Sequence, residues 1–206
     1  MIGRPGEKIY IDTVGPLTRV KHKGEVVQHV LTVLDGYTRY LTAVPIKDIT
    51  ADTIVRALLE NYIYMFGMPE KMHSDQGTCF TSTLFEGVMK ALNIQHTTTP
   101  AYHPESNRVE RVHRTLGAVL RSEQAAALGN WPALLGPAVF AINTTTNRMT
   151  GRTPFELQFG RAAVILLDLI VPSPRCHSAR YPASHPDHYV ATLKERAAAT
   201  YEEVMQ

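Results

Sequence analysis

TPAYHPESNRVERVHRTLGAVLRSE, residues 99–123, is the stretch that decides how the fold of this chain is interpreted. On a helix, one flank carries apolar residues, namely Val109, Val112, Leu116, Val119 and Leu120. The opposite flank carries Glu110, Arg114, Gly117 and Arg121, with Arg108 and Arg111 beside them. One face is therefore suited to packing, while the other presents a single carboxylate among guanidinium groups. A solvated helix with a Glu110–Arg114 ion pair shows the same pattern.

The composition describes an ordinary globular protein and leaves its partner open. The 206 residues can bury one sizeable core, and 44% are hydrophobic against 19% charged. A net charge of +2 says little about nucleic acid unless the basic residues are concentrated in one place. Cys79 and Cys176 are too few for a disulfide framework, so a reducing compartment is expected. No signal peptide or apolar run of membrane-spanning length is present, so no membrane partner is expected.

The order of the predicted elements indicates a mixed sheet flanked by helices. Alternation and turn residues predict five strands, at 8–14, 26–34, 39–46, 71–74 and 94–99. Helical spacing predicts helices at about 50–66, 82–92, around Glu110, and 131–147. Three strands in a meander, followed by alternating helices and strands, predict an α/β fold with a five-stranded mixed sheet. Trp131, Phe140 and Phe155 are expected in the core.

The last part of the chain has a different character. Pro172, Pro174, Pro182 and Pro186 follow one another closely. We therefore predict a core domain at 1–160, then an extended linker and a C-terminal helix at 161–206. The chain starts almost directly with a strand and ends in a helix-like stretch, so we expect it to come from a longer protein.

Three carboxylates occur in unusual settings. Asp12 lies inside a predicted strand, Asp75 follows the fourth strand, and Glu110 lies in the first turns of a helix. If strand ends and helix converge on one crevice, the carboxylates repel one another unless a cation neutralises them. Hard oxygen ligands suit Mg²⁺ or Mn²⁺, and two such ions support phosphoryl transfer. Taken singly, Asp12 could cap a turn, Asp75 could form an Asx-turn, and Glu110 could pair with Arg114.

Several motifs in series resemble one family. IDTVGP, SDQGTCFTS and YHPESNRVERVHRTL are similar to the catalytic core of integrases from retroviruses and long-terminal-repeat retrotransposons, especially the gypsy-like group. Three further segments match the family pattern in the same order along the chain: VLDGYTRYLTAVPI, FGMPEKMHSDQG and NTTTNRMTGRTPFELQFGR. The resemblance therefore covers about residues 5–161. It implies an RNase H-like fold, with Asp12, Asp75 and Glu110 holding two Mg²⁺ or Mn²⁺ ions. Asp35 is typical of the family as a turn residue.

The resemblance also implies a reaction and its partners. Water attacks near the 3′ end of element DNA, and the freed hydroxyl then attacks target DNA. Homo-oligomerisation and a nuclear location, or a cytoplasmic one before nuclear entry, are expected. The implied DNA-contact residues are Tyr102, His103, Ser106, Asn107, Arg108, Arg111 and Arg114.

Two departures from the family pattern keep other hypotheses open. HPESNRVER is one residue shorter than the usual pattern before the glutamate and lacks its glycine. The family's zinc-binding amino-terminal domain and carboxyl-terminal DNA-binding domain are not in this sequence. A domesticated, catalytically weak or inactive protein that binds nucleic acid or partners is therefore the alternative. RNase H proper is a third possibility, against which the YHPESN and GRTPFELQFG segments argue.

Overall fold

The structure is a computed structural model that describes residues 3–98, 106–120, 129–148 and 150–164. For residues 106–111 it describes the backbone alone. The predictions for Tyr102, His103 and the region 165–206 lie outside the described residues, so the proposed boundary at 160/161 stays a prediction.

The described residues contain a mixed sheet of five strands and a separate two-stranded hairpin. The central sheet has the order β5-β4-β1-β6-β7, in which β5, β4 and β1 are antiparallel and β1, β6 and β7 are parallel. The predicted five-stranded mixed sheet is confirmed. The strands are β1 (Lys8–Val14), β2 (Val20–His22), β3 (Glu25–Val27), β4 (His29–Asp35), β5 (Leu41–Ile46), β6 (Lys71–Ser74) and β7 (Gln95–Thr98).

The predicted strand 26–34 is in fact two strands. It is interrupted at Gln28, whose backbone carbonyl accepts a hydrogen bond from Leu17 and whose N–H donates to Ile46. Before the break, β3 pairs with β2 through a two-residue turn, Lys23-Gly24, in which both residues have positive φ. The sequence predicts KHKGE, residues 21–25, as a hairpin connection, and the turn lies there, but the sequence pattern does not predict β2 or the separation of β3 from β4.

Two helices in the first part of the chain begin at residues whose side chains cap them. Thr50 caps α1 (Ala51–Leu58), which continues through a π-helical turn (Leu59–Ile63) into α2 (Tyr64–Phe66). The π-turn adds a residue to the helical period, so Met65, which continues the apolar spacing of Ile54, is 70% exposed. Ser82 caps α3 (Thr83–Ala91).

One face of the central sheet packs against α1 and α3. Alternate residues of the strands point to opposite faces, so Ile9 and Ile11 lie on this face with Val33 of β4. Phe80 and Phe85, which meet edge to face at 5.6 Å, fill the space between sheet and helices. Burying side chains of this size supplies roughly 1.5–3 kcal/mol each.

The other face of the sheet carries Tyr10 and Asp12 of β1, and it is contacted by α4 (Ser106–Leu120). Leu116 and Leu120 of this helix are buried, as the predicted apolar flank requires. The helix begins at Ser106, slightly earlier than predicted. Gly117 was assigned to the outward flank and is buried instead, because a residue without a side chain is covered by its neighbours.

Contacts divide the chain into two units, 1–141 and 142–206, and α5 (Trp131–Thr144) crosses the division. In the first unit Trp131 is buried as predicted, and its indole N–H donates to the Thr18 carbonyl at 2.8 Å. Phe140 is 45% exposed, so its predicted core position is wrong; α5 is apolar on more than one side and cannot bury every face. In the second unit Thr153 and Glu156 form a capping box for α6 (Pro154–Phe159). No helix in the described ranges is long and apolar enough to cross a membrane.

Candidate functional site

Two of the three predicted carboxylates lie at the same edge of the sheet. In the parallel pair β1·β6, Lys8 aligns with Lys71 and Tyr10 with His73. Continuing this register by two residues aligns Asp12 with Asp75, and neighbouring strands are about 4.8 Å apart. Side chains two apart along a strand share a face, so Asp12 lies on the face of Tyr10, which is the face that α4 contacts, and Asp75 follows directly after the end of β6.

Asp12 is held by contacts from its own strand and from α4. Its Oδ1 accepts the N–H of Thr13 at 2.6 Å, and its Oδ2 lies 3.1 Å from Nδ1 of His113. His113 also reaches Thr32, the residue opposite Asp12 on β4, with 2.6 Å between Nε2 and Oγ1. The Asp12 side chain keeps 32% of its surface exposed, so it is both fixed in place and accessible.

Asp75 is exposed and shaped by a tight turn. Its Oδ1 accepts the N–H of Gly77 at 2.9 Å, which is the Asx-type contact considered above. A Cβ at Gly77 would lie only 3.0 Å from this oxygen, so glycine gives the carboxylate room. A carboxylate has about four lone-pair sites, so this single hydrogen bond leaves acceptor capacity for a cation.

Cys79 is buried beside the Asp75 turn. Burial raises the pKa of its thiol, backbone hydrogen bonds partly oppose this shift, and the negative charges of Asp75 and Asp12 raise the pKa slightly further. Among the described side chains, no group of three His, Cys, Asp or Glu is arranged to hold a metal ion.

Glu110, the third predicted carboxylate, occupies the first turns of α4, and its side chain lies outside the described residues. Its backbone position is three residues before His113, so the two positions lie on neighbouring turns of one helix face. The chain reaches α4 from the end of β7, which is the same sheet edge as the ends of β1 and β6. Helix and strand order therefore bring the Glu110 position to the edge that carries Asp12 and Asp75.

His113 is the residue that the sequence interpretation missed. The helical pattern divides α4 into an apolar flank and a charged flank. His113 lies between the two flanks and is not part of either. The available signal was its position one turn after Glu110. Of the predicted DNA-contact residues, Arg114 is exposed on α4, whereas Ser106, Asn107, Arg108 and Arg111 are placed by their backbone alone.

Asp35 lies apart from the candidate site, as the family pattern implies. It is 1% exposed at the end of β4 and accepts hydrogen bonds from the N–H groups of Gly6, Tyr37 and Thr38 and from the Thr38 hydroxyl. Four donors satisfy a buried carboxylate, so its role as a turn residue is confirmed.

A second histidine supports the backbone next to Asp75. The buried hydroxyl of Ser74 donates to the Asp75 carbonyl at 2.8 Å and lies 2.9 Å from Nε2 of His96. Because the serine hydrogen is used on the carbonyl, Nε2–H of His96 donates to Ser74. Phe85 packs edge to face on the imidazole at 5.2 Å. Ser74 and His96 therefore fix the end of β6, from which the Asp75 turn begins.

We expect this histidine to make folding stability depend on pH. Burial lowers the pKa of His96 below 6.5, and the nearby charge of Glu86 only partly opposes the shift. Between the folded and unfolded pKa values the unfolded chain binds more protons, so stability falls as pH decreases below about 6.5. Urea unfolding measured from about pH 7.5 to 5 should show this loss of stability. In His96→Gln the free energy of unfolding should depend less steeply on pH. An unchanged slope in that variant would refute the assignment.

Comparisons with known proteins agree with this geometry. Residues 3–104 match the family model described as "Integrase core domain". The chain is 31% identical over 158 residues to the retrovirus-related Pol polyprotein from transposon 412 of Drosophila melanogaster. It is 33% identical over 158 residues to the Pro-Pol polyprotein of Feline foamy virus. These matches cover 76% of this chain but only 12% and 13% of the two polyproteins.

Solved structures give the same answer for the fold. The catalytic core domain of BIV integrase superposes with a TM-score of 0.57 at 25% identity, covering 74% of this chain and 93% of that one. The HTLV-2 integrase catalytic core domain in complex with magnesium, in a trimeric form, gives 0.58 at 19% identity, covering 75% and 97%. The simian T-cell lymphotropic virus intasome gives 0.62 at 23% identity, covering 89% and 60%. The RNase H-like fold is thus confirmed.

Proposed function

The chain belongs to the integrase core domain family, and on this premise we propose that it forms the metal-dependent centre of an enzyme that cuts and joins DNA. Asp12, Asp75 and Glu110 are its proposed catalytic and metal-binding residues. The observation that carries the proposal is the parallel pairing of β1 and β6, which brings Asp12 and the turn that begins at Asp75 to the sheet edge leading to α4.

The donor set fits a hard divalent cation. Asp12 and Asp75 bring two carboxylates together, and in the described part of the chain no lysine or arginine forms an ion pair with either. Two anions placed side by side repel each other unless a cation compensates. Carboxylate oxygens and few soft ligands favour Mg²⁺ or Mn²⁺. Bound there, such ions would activate an attacking oxygen and stabilise a leaving oxygen at phosphorus.

The protein's own contribution is position. His113 and the Thr13 N–H fix the Asp12 carboxylate from two sides, while the Gly77 turn fixes Asp75. In the first reaction that we propose, a water oxygen bonds to phosphorus near the 3′ end of element DNA, and the bond from phosphorus to the leaving oxygen breaks. In the second, the freed 3′-hydroxyl attacks a phosphodiester of target DNA in the same way. Orientation of the attacking oxygen accounts for much of the barrier reduction in such reactions.

DNA contacts are proposed along the loop before α4 and on its first turns. Arg114 is exposed, as a phosphate contact must be. Tyr102, His103, Ser106, Asn107, Arg108 and Arg111 complete the proposed set. Assembly into a homo-oligomer and a nuclear location, or a cytoplasmic one before nuclear entry, belong to the same proposal.

One feature favours a second candidate function, an integrase-derived protein that binds nucleic acid or partners without efficient catalysis. Thirty-four residues separate Asp75 from Glu110, one fewer than in the family pattern. The missing residue belongs to the loop before α4, and this loop lacks the glycine of the family pattern. A shorter loop without glycine is stiffer. An error of about 1 Å in DNA placement can cost roughly 10²-fold in rate.

Incubation with a labelled DNA duplex decides between the two candidates. With Mg²⁺ or Mn²⁺ present, we expect new 3′-hydroxyl ends and joined strands, and we expect neither with a chelator. Glu110→Gln keeps the size of the side chain and removes its charge, so it should abolish both products. DNA binding without any product supports the non-catalytic candidate, and products that persist in Glu110→Gln would overturn the proposed site.

A further inference from the structure

The hairpin of β2 and β3 carries a concentration of positive charge. Between Leu17 and Gln28, Arg19, Lys21 and Lys23 stand against one acidic residue, Glu25. Three cations less one anion give +2, the same as the net charge of the whole chain. Arg19, Lys21 and Lys23 are all exposed, and the described part of the chain contains no ion pair to any of them. The hairpin therefore presents a local excess of exposed positive charge.

The hairpin continues from the strand that carries Asp12. β1 runs toward the sheet edge where Asp12 and Asp75 lie, and the chain enters β2 soon after β1 ends at Val14. Lys21 lies nine positions after Asp12 in the chain. At roughly 3.3 Å per residue the two lie at most about 30 Å apart. DNA strands carry a phosphate about every 3.4 Å, so that span is on the order of nine nucleotides.

The tip of the hairpin is built in a way that stability alone does not favour. Lys23 has φ 48° and Gly24 has φ 91°, which is the pattern of a type I′ turn. Asparagine is the preferred residue at the first of these positions, because it tolerates positive φ better than lysine does. Lysine at this position places a charge at the tip of the hairpin, although its backbone conformation is less favourable than that of asparagine.

From this charge, exposure and position we propose that the β2–β3 hairpin binds the phosphate backbone of duplex DNA beside the cutting and joining site. Arg19, Lys21 and Lys23 supply the contacts. Nε of Arg19 donates to the Gln28 side chain at 3.0 Å, which holds the guanidinium on the hairpin. Contacts to phosphate carry no base sequence, so the hairpin would orient the duplex and not select its sequence. This inference rests on the proposed function.

The test compares two double variants that remove the same charge. One is Lys21→Gln with Lys23→Asn; the other is Lys47→Gln with Lys90→Gln, which changes two exposed lysines outside the hairpin. Binding of a fluorescent duplex of about 20 base pairs is measured by anisotropy across a salt series, with a chelator present. We expect the hairpin variant to bind about 3–10-fold more weakly, and its salt slope to fall by about 2. The control variant should change affinity less than about twofold.

Lys23→Asn alone adds a sharper readout. If Lys23 only keeps the hairpin hydrated, this variant should bind DNA with equal affinity and resist urea equally well or better. The DNA-binding role predicts weaker DNA affinity together with that equal or greater resistance. If both double variants weaken binding equally, or neither does, the hairpin inference is wrong while the proposed function stands. If the unaltered protein binds no DNA at all, the proposed function itself fails.

Discussion

Asp12→Asn is expected to abolish DNA cutting and joining while leaving the protein folded. The substitution keeps the size of the side chain and an oxygen that can accept from the Thr13 N–H. It removes one of the two charges that β1 and β6 bring together. Losing several kcal/mol of charge stabilisation at phosphorus corresponds to a rate loss on the order of 10³-fold or more. Rates on a labelled duplex in Mg²⁺ or Mn²⁺ measure it.

Stability gives this prediction a second readout. Without metal, Asp12→Asn relieves repulsion from Asp75 but also removes the charge that faces His113, so its urea midpoint should stay close to that of the unaltered protein. Asp52→Asn is the matched control, because Asp52 is exposed on α1 and pairs with Arg56, one helical turn away. That control should keep full activity. A folded Asp12→Asn protein that still cuts DNA at the normal rate would contradict the proposed site.

His113→Ala should reduce both metal affinity and rate by about 10–100-fold, which is the usual cost of removing a residue that orients a metal ligand. The histidine lies 3.1 Å from Oδ2 of Asp12 and 2.6 Å from the Thr32 hydroxyl, so its loss frees the Asp12 carboxylate to rotate. Calorimetric Mn²⁺ titration measures the affinity, and DNA cleavage measures the rate.

A conservative variant separates this positioning role from a general structural one. His113→Asn retains a donor that can reach Asp12, so it should recover part of the metal affinity that His113→Ala loses. Thr115→Ala, at an exposed position on the same helix, serves as the control and should leave metal affinity unchanged. If His113→Ala unfolds more easily but binds Mn²⁺ normally, the positioning role is refuted.

The sequence predicts the strands that position the site because each is bounded by strong local signals. Lys8–Val14 ends at Gly15-Pro16 and Lys71–Ser74 ends at the Asp75 turn, and both strands have the predicted bounds. The hairpin connection at KHKGE is predicted, but the break at Gln28 that separates β3 from β4 is not, because it depends on backbone hydrogen bonds with Leu17 and Ile46 that a local pattern does not contain. The π-helical turn at Leu59–Ile63 was missed for a related reason: apolar spacing there fits an ordinary helix until one residue is added.

The candidate site divides in a similar way. Asp12 and Asp75 could be selected from the sequence because an aspartate inside a strand and another at a strand end are locally unusual. Their alignment is a property of strand pairing between distant segments, which local patterns do not contain. His113 escaped selection because its partners, Asp12 and Thr32, lie on two strands far away in sequence. The roles of Glu110, Tyr102 and His103 remain predictions from the sequence and the family.

The central claim is that Asp12 and Asp75 jointly hold a divalent cation, and calorimetric titration of Mg²⁺ or Mn²⁺ tests it most directly. The unaltered protein is compared with an Asp12→Asn, Asp75→Asn double variant whose fold has been checked by circular dichroism. We predict saturable heat of binding in the unaltered protein and only heat of dilution in the double variant. Equal heats of binding in the two proteins would contradict the claim.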